Sequence, residues 1–101
     1  MARDRTKLSD SEVQGWLKAH PGWALEGGMI RRTFTFKDFR VAMAFVNKVA
    51  DAANAADHHP DIDIRYSKVT LALVTHDAGG LTSRDTKLAE DADALAATRG
   101  S

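Results

Sequence analysis

The stretch DIDIRYSKVTLALVT, residues 61–75, has the residue pattern of a β-hairpin and decides the fold class. In its first half, Ile62 and Ile64 alternate with charged residues, which is typical of a strand with one apolar face. From Val69 onward both alternate sets are apolar, which predicts a strand buried on its two faces. The turn between the two strands falls at residues 67–68.

A second hairpin is predicted earlier in the chain. Residues 23–25 and 29–36 form its two strands, and Gly27 and Gly28 between them suit a tight turn. In the longer strand phenylalanine alternates with threonine, so one face is apolar and the other is polar. Arg32 interrupts the apolar face.

Helices are predicted on either side of each hairpin. The first covers residues 8–19, where Ser9 and Glu12 have the spacing of a capping box. The second, residues 38–57, has the clearest apolar repeat in the chain. It must end before Pro60, because the residue that precedes a proline is disfavoured in a helix.

The last helix begins near Thr82 and carries an apolar stripe on one side. The order helix, two strands, helix, two strands, helix predicts an α+β fold. We expect a single two-layer domain, in which a four-stranded antiparallel sheet made of two hairpins has its helices packed on one face.

The chain of 101 residues is predicted to form one domain, 1–101, with a flexible terminus over residues 1–7. An open sheet leaves two edges whose backbone groups are unpaired, and such edges invite partners. We therefore expect a homodimer that continues the sheet across two chains. A homotetramer formed by helix packing is the alternative.

The composition limits the classes of function. The formal net charge is +0 and the basic residues are scattered, which argues against binding of nucleic acid through its phosphates. There is no cysteine, and therefore no disulfide or thiol nucleophile. The charged N-terminus does not look like a signal peptide, and no apolar run approaches the ~20 residues of a membrane helix. We expect a cytoplasmic protein without a membrane partner.

Three of the four histidines flank the second hairpin. His58 and His59 stand just before Pro60, and His76 follows the last strand. If the two strands pair, the hairpin brings its ends together, so the three imidazoles can share one cleft. An imidazole gives or takes a proton near neutral pH. Several of them suit a dehydration, in which one group protonates a leaving hydroxyl and another accepts a proton from the neighbouring atom.

The sequence also allows other interpretations of these residues. A histidine at the boundary of an element is often only a hydrogen-bonded surface residue, which is the favoured interpretation of His20. Three histidines and one carboxylate could also bind zinc. Asp85 stands at the third helical position after Thr82, where a carboxylate accepts backbone N–H bonds, so the pattern favours a capping role over catalysis.

Over nearly its whole length the sequence resembles the pterin-4a-carbinolamine dehydratase family. The most specific part is the triplet HHP at residues 58–60, followed by Tyr66 and by THDAGGLTSRD at residues 75–85. The family consists of hydro-lyases that remove water from 4a-hydroxytetrahydrobiopterin, giving quinonoid dihydropterin in the recycling of tetrahydrobiopterin. The resemblance implies this reaction, a pterin substrate, and no metal or organic cofactor.

The resemblance also implies roles for single residues. His58 and His76 resemble the acid–base histidines of the family, and His59 resembles the one that mainly holds the substrate. Asp85 matches an aspartate near the site, which could orient or charge a histidine. The further residues that fall where the family contacts the pterin ring are Pro60, Thr75, Asp77 and Ala78.

One position departs from the family pattern. Four residues before His58 the family usually carries an ionisable residue, and this chain has Asn54. An amide can hydrogen-bond a pterin or a histidine but cannot supply charge. The complete set of histidines implies an active enzyme. The alternatives are a binding or assembly factor on the same scaffold, since some relatives act in that way, and a metal-dependent hydrolase.

Overall fold

Two hairpins supply all four strands of the sheet, which confirms the predicted α+β architecture. The structure is a computed structural model, and it describes residues 6–98. Residues 1–5 of the terminus that was predicted to be flexible lie outside the described range. The elements in chain order are α1 (Asp10–Ala19), β1 (Ala24–Glu26), β2 (Met29–Thr35), α2 (Phe39–Ala56), β3 (Asp61–Arg65), β4 (Lys68–Leu73) and α3 (Ser83–Thr98).

The strands lie in the order β1-β2-β4-β3, and every neighbouring pair is antiparallel. β4 is therefore an inner strand, and on its face away from the core Ala72 is buried and Thr70 half-buried, in line with the apolar pattern on both faces. Ile30 of β2 lies opposite Leu73 of β4, and Phe34 lies opposite Val69. These side chains are buried in the core, whereas Thr33 on the other face of β2 is exposed. The helices thus cover one face of the sheet.

Arg32, which interrupts the apolar face of β2 in the sequence, has a partner on α3 that the pattern did not predict. Its Nη1 donates to Asp93 Oδ1 of α3 at 2.9 Å, and its guanidinium lies 4.7 Å from the ring centroid of Phe34. Trp23 Nε1 also donates to Asp93, at 3.1 Å. The arginine side chain therefore extends over the core, and Asp93 neutralises its charge at the edge of the core.

The helix boundaries follow local capping. Ser9 Oγ accepts a hydrogen bond from the Glu12 N–H at 3.1 Å, and Glu12 Oε1 accepts one from the Ser9 N–H at 2.8 Å, which confirms the predicted capping box of α1. α2 ends at Asp57, which adopts a left-handed conformation with φ of 52°. The chain then turns through His58 and His59 into β3. Within residues 6–98, no helix has both the length and the apolar character to span a bilayer.

Candidate active site

His58, His59 and His76 line a single cleft of about 260 Å³, as the sequence pattern predicted. The cleft lies where α2 ends and β4 leaves the sheet. Both points are at the open end of the β3–β4 hairpin, opposite its turn. Its complete lining consists of Asp57, His58, His59, Val74, Thr75, His76, Asp77 and Arg84.

His58 is held from behind by a buried carboxylate. Its Nε2 lies 2.6 Å from Asp85 Oδ1, and the relative exposures of the two residues are 9% and 0%. Asp85 does not line the cleft itself and reaches it only through the imidazole. A short bond between two buried groups of this kind fixes the position of the ring.

Two threonine hydroxyls complete the surroundings of Asp85. Thr75 Oγ1 donates to Asp85 Oδ2 at 2.8 Å, and the Thr82 backbone N–H donates to the same oxygen at 3.0 Å. The hydroxyls of Thr75 and Thr82 are 2.8 Å apart, and the Arg84 N–H donates to Thr82 Oγ1 at 3.2 Å. Asp85 therefore caps α3 and holds His58 at the same time, so the two roles weighed for it are combined geometrically.

The hydrogen bonds determine which nitrogen of His58 can exchange a proton. Since Thr75 O–H and Thr82 N–H already donate to one oxygen of Asp85, the other oxygen accepts from His58 Nε2–H. A carboxylate in this position holds the imidazole in the tautomer that carries a proton on Nε2. Nδ1 makes no hydrogen bond to residues 6–98, so it is the ring nitrogen that is free to contact a ligand.

His59 is exposed and makes a different contact. Its Nε2 lies 3.0 Å from Asn54 Oδ1, across one turn at the end of α2. An amide oxygen can accept the imidazole N–H but cannot carry a charge. The asparagine thus orients His59, as the sequence permitted, without adding electrostatic stabilisation of a protonated ring.

His76 lies on a tight loop. It begins a short 3-10 turn, His76–Ala78, which ends at Gly79 with φ of 73°. An isolated bridge between Thr75 and Gly80 closes the loop, with N···O distances of 3.1 and 3.3 Å. The loop presents the exposed His76 at the mouth of the cleft while Thr75 remains buried beneath it.

The remaining residues that were predicted to contact the pterin do not all line the cleft. Asp77 is exposed and lines the cleft, whereas the half-buried Pro60 and Ala78 are not part of its lining. Sequence reasoning did not single out Asp57 and Arg84, although Arg84 lies in the THDAGGLTSRD stretch. Arg84 Nη2 donates to the Asp57 carbonyl at 2.7 Å and so ties the start of α3 to the end of α2.

A larger groove, of about 750 Å³, lies beside the cleft and shares Val74 and His76 with it. It includes neither His58 nor His59, and most of its lining comes from glycine and apolar side chains. The smaller cleft, where three imidazoles converge, is therefore the candidate active site. Within residues 6–98, no three side chains of His, Cys, Asp or Glu type form a group that could hold a metal ion.

The chain matches the family model described as pterin 4 alpha carbinolamine dehydratase over residues 6–95. It is 55% identical over 89 residues to a protein of Acidobacterium capsulatum, which covers 88% of this chain and 97% of that protein. It is 60% identical over 82 residues to a protein of Koribacter versatilis, with coverages of 81% and 87%. Both relatives are provisionally named pterin-4-alpha-carbinolamine dehydratases.

Two solved structures share the fold. A transcriptional coactivator/pterin dehydratase from Brucella melitensis has a TM-score of 0.86 and 36% identity, and the match covers 90% of this chain and 99% of that one. A pterin dehydratase-like protein identified as a RuBisCO assembly factor in the α-carboxysome has a TM-score of 0.65 over 74% of this chain and 89% of that one. At 24% identity it shows likeness of fold alone. The family model and the curated relatives show that the chain belongs to the pterin 4 alpha carbinolamine dehydratase family.

Proposed function

We propose that this protein removes water from 4a-hydroxytetrahydrobiopterin by histidine acid–base catalysis. The observation that carries the proposal is the convergence of His58, His59 and His76 in one cleft, with His58 held by the buried Asp85. Family membership supports the reaction class. The surroundings of the three rings differ, which supports a division of labour among them.

The reaction moves two protons. The bond between C4a and the hydroxyl oxygen breaks, N5 loses its proton, and a double bond forms between C4a and N5 as one water molecule leaves. One imidazolium protonates the departing hydroxyl and one neutral imidazole accepts the N5 proton. We assign these two roles to His58 and His76 together. Donation of electrons from N5 assists the departure of the hydroxyl, so a proton donor suffices.

The remaining predicted site residues are assigned to binding and orienting the pterin ring. His59, fixed by Asn54, holds the pterin ring, and Asp77 offers a carboxylate to its polar edge. The hydroxyl of Thr75 already donates to Asp85, so Thr75 would contact the ring through its other atoms. Pro60 and Ala78 would contact only a ligand that extends beyond the cleft, since neither lines it.

A stopped-flow measurement of carbinolamine dehydration with the purified protein tests this proposal. We expect turnover well above the spontaneous rate, and we expect the His58→Ala, His76→Ala double variant to lose it. A wild-type protein that binds a dihydropterin without accelerating dehydration would contradict the proposal and favour a binding or assembly role on the same scaffold.

A further inference from the structure

The larger groove beside the histidine cleft has no part in the proton transfers of the proposed dehydration. Its volume is about 750 Å³, whereas that of the cleft is about 260 Å³. Sites for small molecules have volumes of roughly 300–1,000 Å³, so the groove has the size of a binding site and the cleft alone is small for one. The groove therefore has room for a substantial part of a ligand.

Three parts of the chain line the groove, and most of what they contribute is apolar. Val13 comes from α1, Leu25 from the β1–β2 hairpin and Leu81 from the loop after β4. Lys7 and Asp10 add one positive and one negative charge, so the formal charges of the lining cancel. A surface of this kind favours an uncharged and largely apolar group.

The segment before α1 fixes the loop that forms one side of the groove. The Leu8 N–H donates to the Leu81 carbonyl at 2.7 Å. The stem of Lys7 lies across Gly80, where an added Cβ atom would be 2.7 Å from Lys7 Cε. The bridge between Thr75 and Gly80 closes the same loop. The groove is therefore formed in the protein without a ligand, as small-molecule sites usually are.

The groove and the cleft meet at His76 and Val74, which line both. His76 is exposed at this junction, and Val74 is half-buried. A ligand that contacts His76 from the cleft can therefore continue into the groove along the protein surface.

The chemistry of the dehydration indicates which part of a pterin continues. The reaction takes place at C4a and N5, and C6 is the next ring atom after N5. A side chain that takes the N5 proton must lie within hydrogen-bond distance of N5. The substituent on C6 then leaves the ring beside that side chain. If His76 faces N5, the substituent starts at the junction of the two hollows, while the pyrimidine ring stays in the cleft.

We propose that the groove binds the C6 substituent of the substrate, and that the protein prefers pterins whose substituent is a largely apolar arm with an aromatic ring. The inference rests on the proposed function, since it takes a pterin to occupy the cleft. A methyl group or a three-carbon side chain would leave most of the groove empty. An aromatic arm would cover Val13, Leu25 and Leu81, and His76 rather than His58 would face N5.

Calorimetric titration with three dihydropterins tests the preference. The probes are 6-methyl-7,8-dihydropterin, 7,8-dihydrobiopterin and 7,8-dihydropteroate, which carry a methyl group, a three-carbon side chain and an aromatic arm. We expect the Kd of dihydropteroate to be about tenfold below that of the methyl compound, because its ring is removed from water. Dihydrobiopterin should lie near the methyl compound. Equal or weaker binding of dihydropteroate would overturn the inference.

NMR of labelled methyl groups shows where the arm lies. Dihydropteroate should shift the methyl signals of Val13 and Leu25, and 6-methyl-7,8-dihydropterin should leave them in place. Val49, which is buried in the core and lines neither hollow, is the control. Tight binding of dihydropteroate without a shift at Val13 and Leu25 would place the arm elsewhere and overturn the inference.

A charge placed in the groove gives a matched pair of variants. Leu25 and Ala24 are adjacent exposed residues of β1 whose side chains point to opposite faces of the strand, and Ala24 does not line the groove. We expect Leu25→Glu to remove the advantage of dihydropteroate over the methyl compound and Ala24→Glu to keep it. Circular dichroism verifies that both variants are folded. An equal effect of the two variants would contradict the assignment.

Lys7→Met separates the arm from the carboxylate that ends it. Methionine keeps an unbranched stem across Gly80 and removes the charge that could attract the carboxylate. Exposed ion pairs contribute little, so we expect the preference for dihydropteroate to fall by less than about threefold. Disappearance of the preference in Lys7→Met would attribute it to charge alone and overturn the proposed role of the apolar lining.

The same measurements distinguish this inference from the proposed function. If the three dihydropterins bind equally and the protein accelerates dehydration, only the inference fails. If dihydropteroate binds in the groove and the protein does not accelerate dehydration, only the proposed function fails. If none of the three dihydropterins binds, both fail.

Discussion

His58 and His76 sit in contrasting surroundings within one cleft. His58 is buried against Asp85, whereas His76 is exposed on a loop. If they share the two proton transfers, His58→Ala and His76→Ala should each lower kcat by roughly 10²–10⁴-fold. The double variant should lose less than the product of the single losses, because both residues serve one step.

Stopped-flow kcat measurements check this prediction. His20→Ala is the matched control, since His20 stacks on Trp16 with ring centroids 4.2 Å apart and does not line the cleft. Turnover near the wild-type value in the double variant would exclude the acid–base assignment.

His59 should affect binding more than turnover. It is exposed, and its contact with Asn54 is an orienting one without charge. We expect His59→Ala to raise KM more than it lowers kcat, because a residue that positions the ring acts on substrate binding. Titration with a dihydropterin should show weaker binding by His59→Ala than by His58→Ala. The reverse order would contradict the positioning role.

Asp85→Asn tests whether Asp85 sets the tautomer of His58. The structure predicts a larger effect on turnover than a capping role would. A capping role alone predicts a mild effect, because an asparagine can still cap a helix. In the structure the asparagine oxygen would accept from Thr75 and Thr82, so its amide N–H group would face His58 Nε2. His58 would then adopt the opposite tautomer, and we expect kcat to fall by roughly 10²–10⁴-fold.

Stopped-flow kinetics measure the change in kcat, and NMR of the imidazole nitrogens reports the tautomer of His58 directly. Asp91→Asn is the control: Asp91 is a half-buried carboxylate on the same helix that pairs with Lys87, and its replacement should leave both unchanged. An Asp85→Asn enzyme with normal turnover would show that the tautomer of His58 does not matter.

At the scale of an element, the start of α3 connects stability to the site. Thr82 is fully buried, and its hydroxyl accepts from the Arg84 N–H and contacts the hydroxyl of Thr75. Thr82→Val keeps the shape but removes the cap, so we expect the free energy of unfolding to fall by about 1–2 kcal/mol. Urea unfolding measures the loss.

Thr86→Val provides the comparison within the same helix. Among residues 6–98, Thr86 Oγ1 makes one hydrogen bond, an exposed one to the Ser83 carbonyl at 3.3 Å, so its loss should change stability little. Equal destabilisation by the two variants would mean that the buried hydroxyl of Thr82 contributes nothing beyond an ordinary surface bond.

For the whole molecule, the mechanism makes a prediction about metal. In the proposed dehydration, electron donation from N5 assists the departure of the 4a hydroxyl, so a Lewis acid is not required for the elimination. We therefore expect the rate to be unchanged after dialysis against a chelator. Loss of activity on chelation, with recovery on addition of zinc, would contradict the mechanism and favour a metal-dependent reaction.

Most of the helices and strands, and the positions of the histidines at their ends, could be predicted from local sequence patterns. The capping box of α1 and the apolar repeat of α2 are local patterns that the structure confirms. The alternation in β3 correctly predicted a strand, but all five of its residues are exposed, so the alternation of burial is absent. Local patterns suffice here because hydrogen bonds within a helix or a turn join residues a few positions apart. The convergence of His58, His59 and His76 also followed, since a hairpin must bring its own ends together.

The contacts among the buried polar groups depend on the packing of distant elements and could not be predicted from sequence spacing. Asp85 contacts His58 from 27 positions away, and Asp93 neutralises Arg32 from 61 positions away. No periodicity relates such residues, because their contacts depend on how α3 packs over the end of α2 and the edge of the sheet. Packing also removed Asp85 from water, and a buried carboxylate must find hydrogen-bond donors. For that reason a residue whose spacing favoured only a helix cap also orients the central histidine of the cleft.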